Sequence, residues 1–450
     1  MFGGVGKAGW ATILVAGGMV LGSSISAQSA DLGGDCCADL EERVAELEAT
    51  TARKGNTKVK LSIYGKVNEA VMFWDDGNEQ NAYVVTNDAS RSRFGFKGGA
   101  KVNDDLSANF QIEIGVRSAN SKRNNQFDTL GENGFDLRHA WWNLKSKRYG
   151  KIQVGHTPTA SQDVTEINLA GTSDVGKFSD VEDSGGGFFL VREGTGASSN
   201  GLQWRRLIAR TGAQPGEGDR RKAVLYESPE FAGFSASAAW GGDDFWDVGL
   251  RFEKEFADFK VEAGIAYSSI TDSNDDSATH GCPVRSAPTS DAKCQGLGGS
   301  ISVMHKSGVY GNFAAGQMWD DNAKVVFGPG VEDTYKFWST EVGIQKKWNE
   351  LGKTTIFGQY YDYNGGAIRQ TVNGTDAINS FGANANIASS EVRSWGLGVM
   401  QKIDAADMKL YALYRHYEFD VELINGNNVI QDSRPLEDFQ VLMTGAVINF

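Results

Sequence analysis

The stretch Leu106-Ser107-Ala108-Asn109-Phe110-Gln111-Ile112-Glu113-Ile114-Gly115-Val116-Arg117 alternates without a break. Leu106, Ala108, Phe110, Ile112, Ile114 and Val116 share one face, and Ser107, Asn109, Gln111, Glu113, Gly115 and Arg117 share the other. Successive side chains of a strand point to opposite sides, so this segment reads as a strand with one oily and one polar face. The pattern recurs in both directions along the chain. Trp246, Val248, Leu250 and Phe252 oppose Asp247, Gly249, Arg251 and Glu253, while Phe259, Val261, Ala263, Ile265 and Tyr267 oppose Lys260, Glu262, Gly264 and Ala266. Val59, Leu61 and Ile63 oppose Lys58, Lys60, Ser62 and Tyr64 at the start of the periodic region.

Sixteen such segments are predicted. They lie near 58–74, 90–99, 106–117, 135–146, 151–155, 222–228, 233–240, 245–255, 259–268, 298–305, 309–319, 334–348, 354–363, 391–402, 407–419 and 437–450. Their connections alternate short and long. Turns such as Val102 to Asp105, Lys147 to Gly150 and Ile403 to Ala406 close one end, and polar segments such as Asp75 to Ala89, Ser118 to Gly134 and Asn364 to Ser390 close the other. Gly241 to Asp244 is short where a long connection is due. A soluble sandwich also alternates, but this layout is that of an antiparallel barrel inserted in a membrane from one side. The expected fold is therefore all-β, a transmembrane antiparallel barrel of about 16 strands with a short N-terminal helix.

Composition agrees. A mean hydropathy of -0.36 excludes a bundle of membrane helices, whereas a barrel shows lipid only every second residue. The net charge of -13 argues against nucleic acid as a partner, since that binding neutralises phosphates with Lys and Arg. Lys7, the apolar run Trp10 to Leu21 and small residues through Ala27 and Ala30 have the form of a cleaved secretory signal over 1–29. Residues 30–57 then form a periplasmic segment in which Asp39 to Ala52 reads as a short amphipathic helix, with Leu40, Val44 and Leu47 on one side. A coiled coil is one expectation for it, a simple surface helix the other. The barrel is expected over 58–450. In an oxidising compartment Cys282 and Cys294 read as a disulfide across a surface loop, while the adjacent Cys36 and Cys37 read as free thiols or links between subunits. No metal-ligand spacing occurs and no cofactor is implied.

Arg221-Lys222-Ala223-Val224-Leu225-Tyr226-Glu227-Ser228-Pro229-Glu230-Phe231-Ala232-Gly233-Phe234 resembles the Tyr-x-Ser-Pro-x-Phe-x-Gly-Phe turn of Gram-negative porins. Ile63-Tyr64-Gly65-Lys66-Val67 and Ser92-Arg93-Phe94-Gly95-Phe96-Lys97-Gly98 look like the first two strands of that family, and the N-terminal segment looks like its alphaproteobacterial branch. The terminal Phe450 resembles the signal read by the barrel-insertion machinery. The resemblance implies an outer-membrane homotrimer, in contact with lipid and lipopolysaccharide, with its third long loop folded into the lumen as a constriction. The longest connection, His156 to Arg221, falls between the fifth and sixth strands, where that loop belongs.

The implied activity is passive diffusion of ions and small hydrophilic solutes. A 16-stranded lumen is too wide for side chains to fill, so water is expected inside, with selectivity set by charges at the narrowest point. Strand parity turns Lys60, Lys66, Arg91, Arg93, Lys97, Arg117 and Arg138 inward, and the long loop offers Asp163, Glu166 and Asp174. Opposed rows of this kind would set a transverse field. Arg192, Arg205, Arg206, Arg210, Arg220 and Arg221 line the vestibule or meet lipopolysaccharide. Trp141, Trp142, Tyr149, Trp240, Trp246, Tyr267, Trp338, Trp348 and Tyr414 suit aromatic girdles. A channel specific for sugars, phosphate or organic acids is the near alternative. An enzyme is not expected, because the five histidines are scattered and no nucleophile elbow occurs.

Overall fold

The computed structural model describes residues 58–208, 214–242, 244–271, 282, 284, 293–372, 384–425, 428–430 and 435–450. The expected signal segment, the expected helix over Asp39 to Ala52, Cys36, Cys37 and Arg210 lie outside them.

Nineteen strands among the described residues form one antiparallel sheet. The first are β1 (Lys60–Asp75), β2 (Gln80–Thr86), β3 (Arg93–Lys101), β4 (Leu106–Arg117), β5 (Gly134–Ser146), β6 (Gly150–Thr157), β7 (Arg221–Glu227), β8 (Phe234–Gly241) and β9 (Trp246–Phe256). There follow β10 (Phe259–Ile270), β11 (Cys294–His305), β12 (Val309–Asp320), β13 (Thr334–Asn349), β14 (Gly352–Gly365) and β15 (Ile368–Val372). The last are β16 (Ala385–Ile403), β17 (Met408–Asn425), β18 (Asn428–Ile430) and β19 (Phe439–Asn449). β1 pairs with β19 from Lys66↔Asn449 to Asp75↔Gln440, and this pairing closes the barrel. β2 and β3 both pair with β1 and together make one wall strand, broken at Asp88–Ser90. β15 and β18 extend hairpins beyond the wall. Sixteen wall strands remain, as the alternation predicts.

One expected loop is corrected. Asp75 to Ala89 is polar in bulk, but Gln80–Thr86 is a strand in which Tyr83 and Val85 are buried and Val84 stands 70 % exposed on the outside. Its alternation is hidden between Asp75-Asp76-Gly77-Asn78-Glu79 and Asn87-Asp88.

The outer surface is greasy. Ile63, Trp142, Trp240, Val342, Ile356 and Leu397 are among many large apolar side chains left exposed. A soluble domain does not show apolar surface on this scale, whereas a barrel in lipid requires it. Trp141 does not belong to that surface. It pairs with Gln111 on the lumen side, while Trp142 pairs with Phe110 outside, because neighbours in a strand cannot share a face.

The loop between β6 and β7 enters the barrel. Ser300 and Ser302 of β11 accept from the Ile167 and Leu169 amides, Gln359 of β14 donates to the Gly176 carbonyl, and Tyr417 of β17 donates to the Val181 carbonyl at 2.8 Å. Arg415, 1 % exposed, donates to the Lys177 carbonyl at 2.5 Å. The expectation of a lumen left to water therefore holds only in part. Phe178, Val181, Phe188, Trp204 and Leu207 of the loop pack with Met72, Trp74, Tyr361, Tyr417, Phe439 and Met443 of the wall in one apolar cluster. What strand side chains could not fill, the loop fills, in a cluster that reaches β1, β2, β10 to β17 and β19.

Candidate functional site

A polar cavity of about 660 Å³ lies between the inserted loop and the inner wall near β3 to β5. Arg91, Arg93, Arg117, Arg138, Asp163, Glu166 and Asp174 all line it. Lys60 and Lys66 do not. Lys60 is exposed at the short-turn end. Lys66 is turned inward and engaged by Asp174, with Nζ and Oδ1 2.8 Å apart, and Lys409 takes the other oxygen at 2.6 Å. Lys66 and Asp174 therefore do not face each other across water. Asp174 pins the loop to the wall, and that corrects the expected opposed rows at this pair. The reason is reach: the loop crosses the lumen and touches the strand that a shorter loop would only face.

The wall arginines carry their own counter-charges. Arg91, in the break between β2 and β3, lies 3.0 Å from Asp136 and 3.4 Å from Asp88. Arg117 pairs with Glu132 at 2.8 Å and approaches Asp136 at 3.6 Å. Glu113, 4 % exposed, takes Arg138 Nε at 2.7 Å, Arg93 at 3.6 Å and the Tyr64 hydroxyl at 2.9 Å. Parity places Glu113 on the polar face of β4, but its role as partner of two arginines depends on the register of β3, β4 and β5. A register shift between Glu113 and Ile114 sets Glu113 opposite His139, beside Arg138.

On the loop, Lys177 holds Glu166 at 2.6 Å and Asp180 at 3.0 Å. Burial alone would lower the Lys177 ammonium, but Asp180 and Glu166 raise it well above the ordinary lysine value, so it stays charged. Lys122, from the connection after β4, binds Glu182 at 3.0 Å and Asp183 at 3.1 Å. Asp163, Glu166 and Glu217 present carboxylate oxygens within 4.8 Å of one another. Burial, then the neighbouring carboxylates, pushes the Glu217 carboxyl well above the usual range. Carboxylate donors are the type that hard cations use, but only Glu217 of the three is buried, and clustered carboxylates also share protons. Of the late-loop arginines, Arg205, Arg206 and Arg220 line the cavity. Cys282 and Cys294 are joined with their Cα atoms 5.8 Å apart, within the range a disulfide needs.

A closed antiparallel barrel, apolar outside, with a polar lumen narrowed by an inserted loop, defines a class of outer-membrane channel proteins. The chain belongs to the Gram-negative porin family, which matches residues 11–422. It is 28% identical over 125 residues to outer membrane porin C 2 of Shigella flexneri serotype 5a, covering 28% of this chain and 30% of that relative, under a third of its length. In fold it is similar to the anion-selective porin from Comamonas acidovorans, with 14% identity, 87% of this chain and 100% of that chain covered, and a TM-score of 0.51. It is also similar to a loop-deletion mutant of OmpT, an outer membrane protein of Vibrio cholerae, with 15% identity, 87% and 100% coverage and a TM-score of 0.50. At these identities the structural likeness speaks to the fold alone.

Proposed function

We propose that the protein is a passive diffusion channel of the outer membrane, passing ions and small hydrophilic solutes through the space beside the inserted loop. The observation that carries this reading is the cavity itself, lined by charged side chains inside a barrel whose outer face is apolar. Family membership supports a channel rather than an enzyme. The chain also assembles as a homotrimer in this reading, with the apolar wall shared between lipid and sister subunits.

The apolar packing of the inserted loop against the wall favours a second, narrower version: a channel selective for a solute class, since the cavity beside the loop is lined by charges. Purified protein added to planar bilayers should give stepwise conductance, with reversal potentials in a salt gradient reporting ion preference. A preparation that inserts but never conducts would sink both versions. Cross-linking in detergent should trap three copies; a monomer at all cross-linker levels would end the trimer proposal.

A further inference from the structure

At the long-connection end of the cavity, basic side chains outnumber their partners. Arg117 ends β4, Arg123 follows in the next connection, and Arg205 lies in the short turn Trp204–Arg206 of the inserted loop. All three line the cavity. Glu132, with its side chain 49% exposed, serves two of them, at 2.8 Å from Arg117 and 3.5 Å from Arg123, while Asp136 at 3.6 Å and Asp88 at 3.9 Å from Arg117 are already shared with Arg91. Arg205 makes no ion pair among the described residues. Its Nη2 donates to Gln203 Oε1 at 2.8 Å, a neutral acceptor two residues away. Its Nε is buried and has no acceptor, and neither has the buried Nε of Arg117.

Glycines bring these groups together. A Cβ on Gly186 would lie 3.1 Å from Arg205 Cβ, and one on Gly187 would lie 2.5 Å from the Arg123 carbonyl, so the two arginine backbones pack against adjacent positions. Burial, then the nearby charges of Arg123 and Arg206, brings the Arg205 guanidinium down to about 9, which is the direction expected of a cation lacking an anion. Planar guanidiniums with free N–H groups match the paired oxygens of carboxylate and phosphate.

We propose that Arg117, Arg123 and Arg205 form a binding site for the carboxylate or phosphate group of a small anionic solute at the outer mouth of the cavity. The proposal rests on the channel reading and deepens it by naming a substrate class. A solute held there faces the wall arginines Arg91 and Arg93 next. Glu182 and Asp183 also line the cavity near Arg205 but are held by Lys122, and the lining is acidic again at Asp163, Glu166 and Glu217.

The test is single-channel recording in dilute potassium chloride with inorganic phosphate or succinate titrated in. In the native protein each should lower the chloride current in a saturating manner. Arg205→Gln and Arg123→Gln should each raise the half-blocking concentration about tenfold, the loss expected for a charge-assisted hydrogen-bonded partner. Arg205→Lys should recover part of the block. A response to phosphate alone or to succinate alone assigns the group, and either supports the site. A native channel indifferent to both, or variants blocked like the native protein, overturns it. If no current steps appear at all, the channel reading fails separately; equilibrium dialysis of phosphate against detergent-solubilised protein then decides the site, and equal retention by native protein and Arg205→Gln overturns it. Heat-shifted gel mobility confirms folding of each variant, and Arg123→Gln stands in if Arg205→Gln does not fold.

Discussion

Asp174 Oδ1 lies 2.8 Å from Lys66 Nζ, so the deepest reach of the inserted loop is tied to the first strand of the barrel. Lys409 of β17 closes on the other carboxylate oxygen, and Asn68 donates to the Asp174 carbonyl at 3.0 Å. β1 and β17 flank β19, the strand that closes the cylinder. One aspartate thus fastens the inserted loop across the seam of the barrel.

Asp174→Asn should loosen that fastening. Each side chain is still about a fifth exposed, so the loss is set by charge-assisted hydrogen bonds in partial water, about 2 kcal/mol. The readout is current noise, which should rise in the variant as the loop moves. Burial works against ionisation of Asp174, but Lys409 and Lys66 prevail and hold its carboxyl well below the usual carboxylate range. A depressed carboxyl contributes stability above its unfolded value of about 4 and loses it only as pH falls through the lower folded value. Native current should therefore be as quiet at about pH 5 as at neutrality. Acid-induced noise in that window, or a variant as quiet as the native channel, would contradict the pin.

Glu217 titrates in the opposite sense. Its carboxyl is raised by burial and by Glu166, Asp180 and Asp163, and no cation pairs with it among the described residues. A raised carboxyl gives the folded state more protons than the unfolded chain, so its stabilising effect is complete at low pH and lost as pH climbs through the folded value. Glu217→Gln should leave the melting temperature nearly unchanged at about pH 4 and raise it by a few degrees at about pH 9. Circular dichroism in detergent reads both, and equal melting at alkaline pH would count against the shared-proton cluster.

Charge reversal at Arg93 tests the wall. A unit charge about 8 Å from an ion's path in water acts with about 0.5 kcal/mol, so Arg93→Glu changes the energy of one ion by about 1 kcal/mol, about fivefold in its permeability. The reversal potential in a gradient of dilute salt should move toward cations, and the movement should shrink in concentrated salt as screening sets in. Arg91→Glu should move it less, because Asp136 and Asp88 already brace Arg91 and would be left as a cluster of three acids that binds protons. Equal potentials before and after Arg93→Glu would place that residue off the conducting path.

The wall was legible because alternation is local. β4 is read from twelve consecutive residues, and the inward turn of Arg93 and Arg117 follows from parity, whereas Arg138 turns inward only through the bulge in β5. Contacts between distant segments were not. Glu113 meets Arg93 and Arg138 only through strand register, including a shift that no run of residues announces. Entry of the long loop came from family likeness rather than from its residues, although Phe178, Phe188, Trp204 and Leu207 are too apolar for a loop in water. Tyr361, Tyr417 and Phe439 occupy lumen-facing positions where a water-filled pore would carry polar groups, and together with those loop residues they were the readable sign of a half-packed lumen. The sign was split between segments far apart in the chain, so neither half was decisive alone.

The last residue closes the barrel by contact as well as by pairing. Gly65 N donates to the Phe450 carbonyl at 2.9 Å and Phe450 N donates to the Gly65 carbonyl at 3.0 Å. The ring of Phe450, 65 % exposed on the outside, lies over Gly65, where a Cβ would stand 2.4 Å from ring Cζ and 2.6 Å from the Arg93 carbonyl. Gly65→Ala should therefore weaken the seam, and Phe450→Ala should not rescue it fully, because the Arg93 carbonyl stays in the way. We propose in addition that Phe450 is read by the insertion machinery, and the two roles separate experimentally. Refolding from urea into detergent involves no machinery, and there Phe450→Ala should cost about 1 kcal/mol, the modest sum for a ring still mostly exposed. In cells the same variant should lose far more folded protein from the outer membrane than that penalty explains. Matching losses in the two settings would reduce Phe450 to a cover over Gly65.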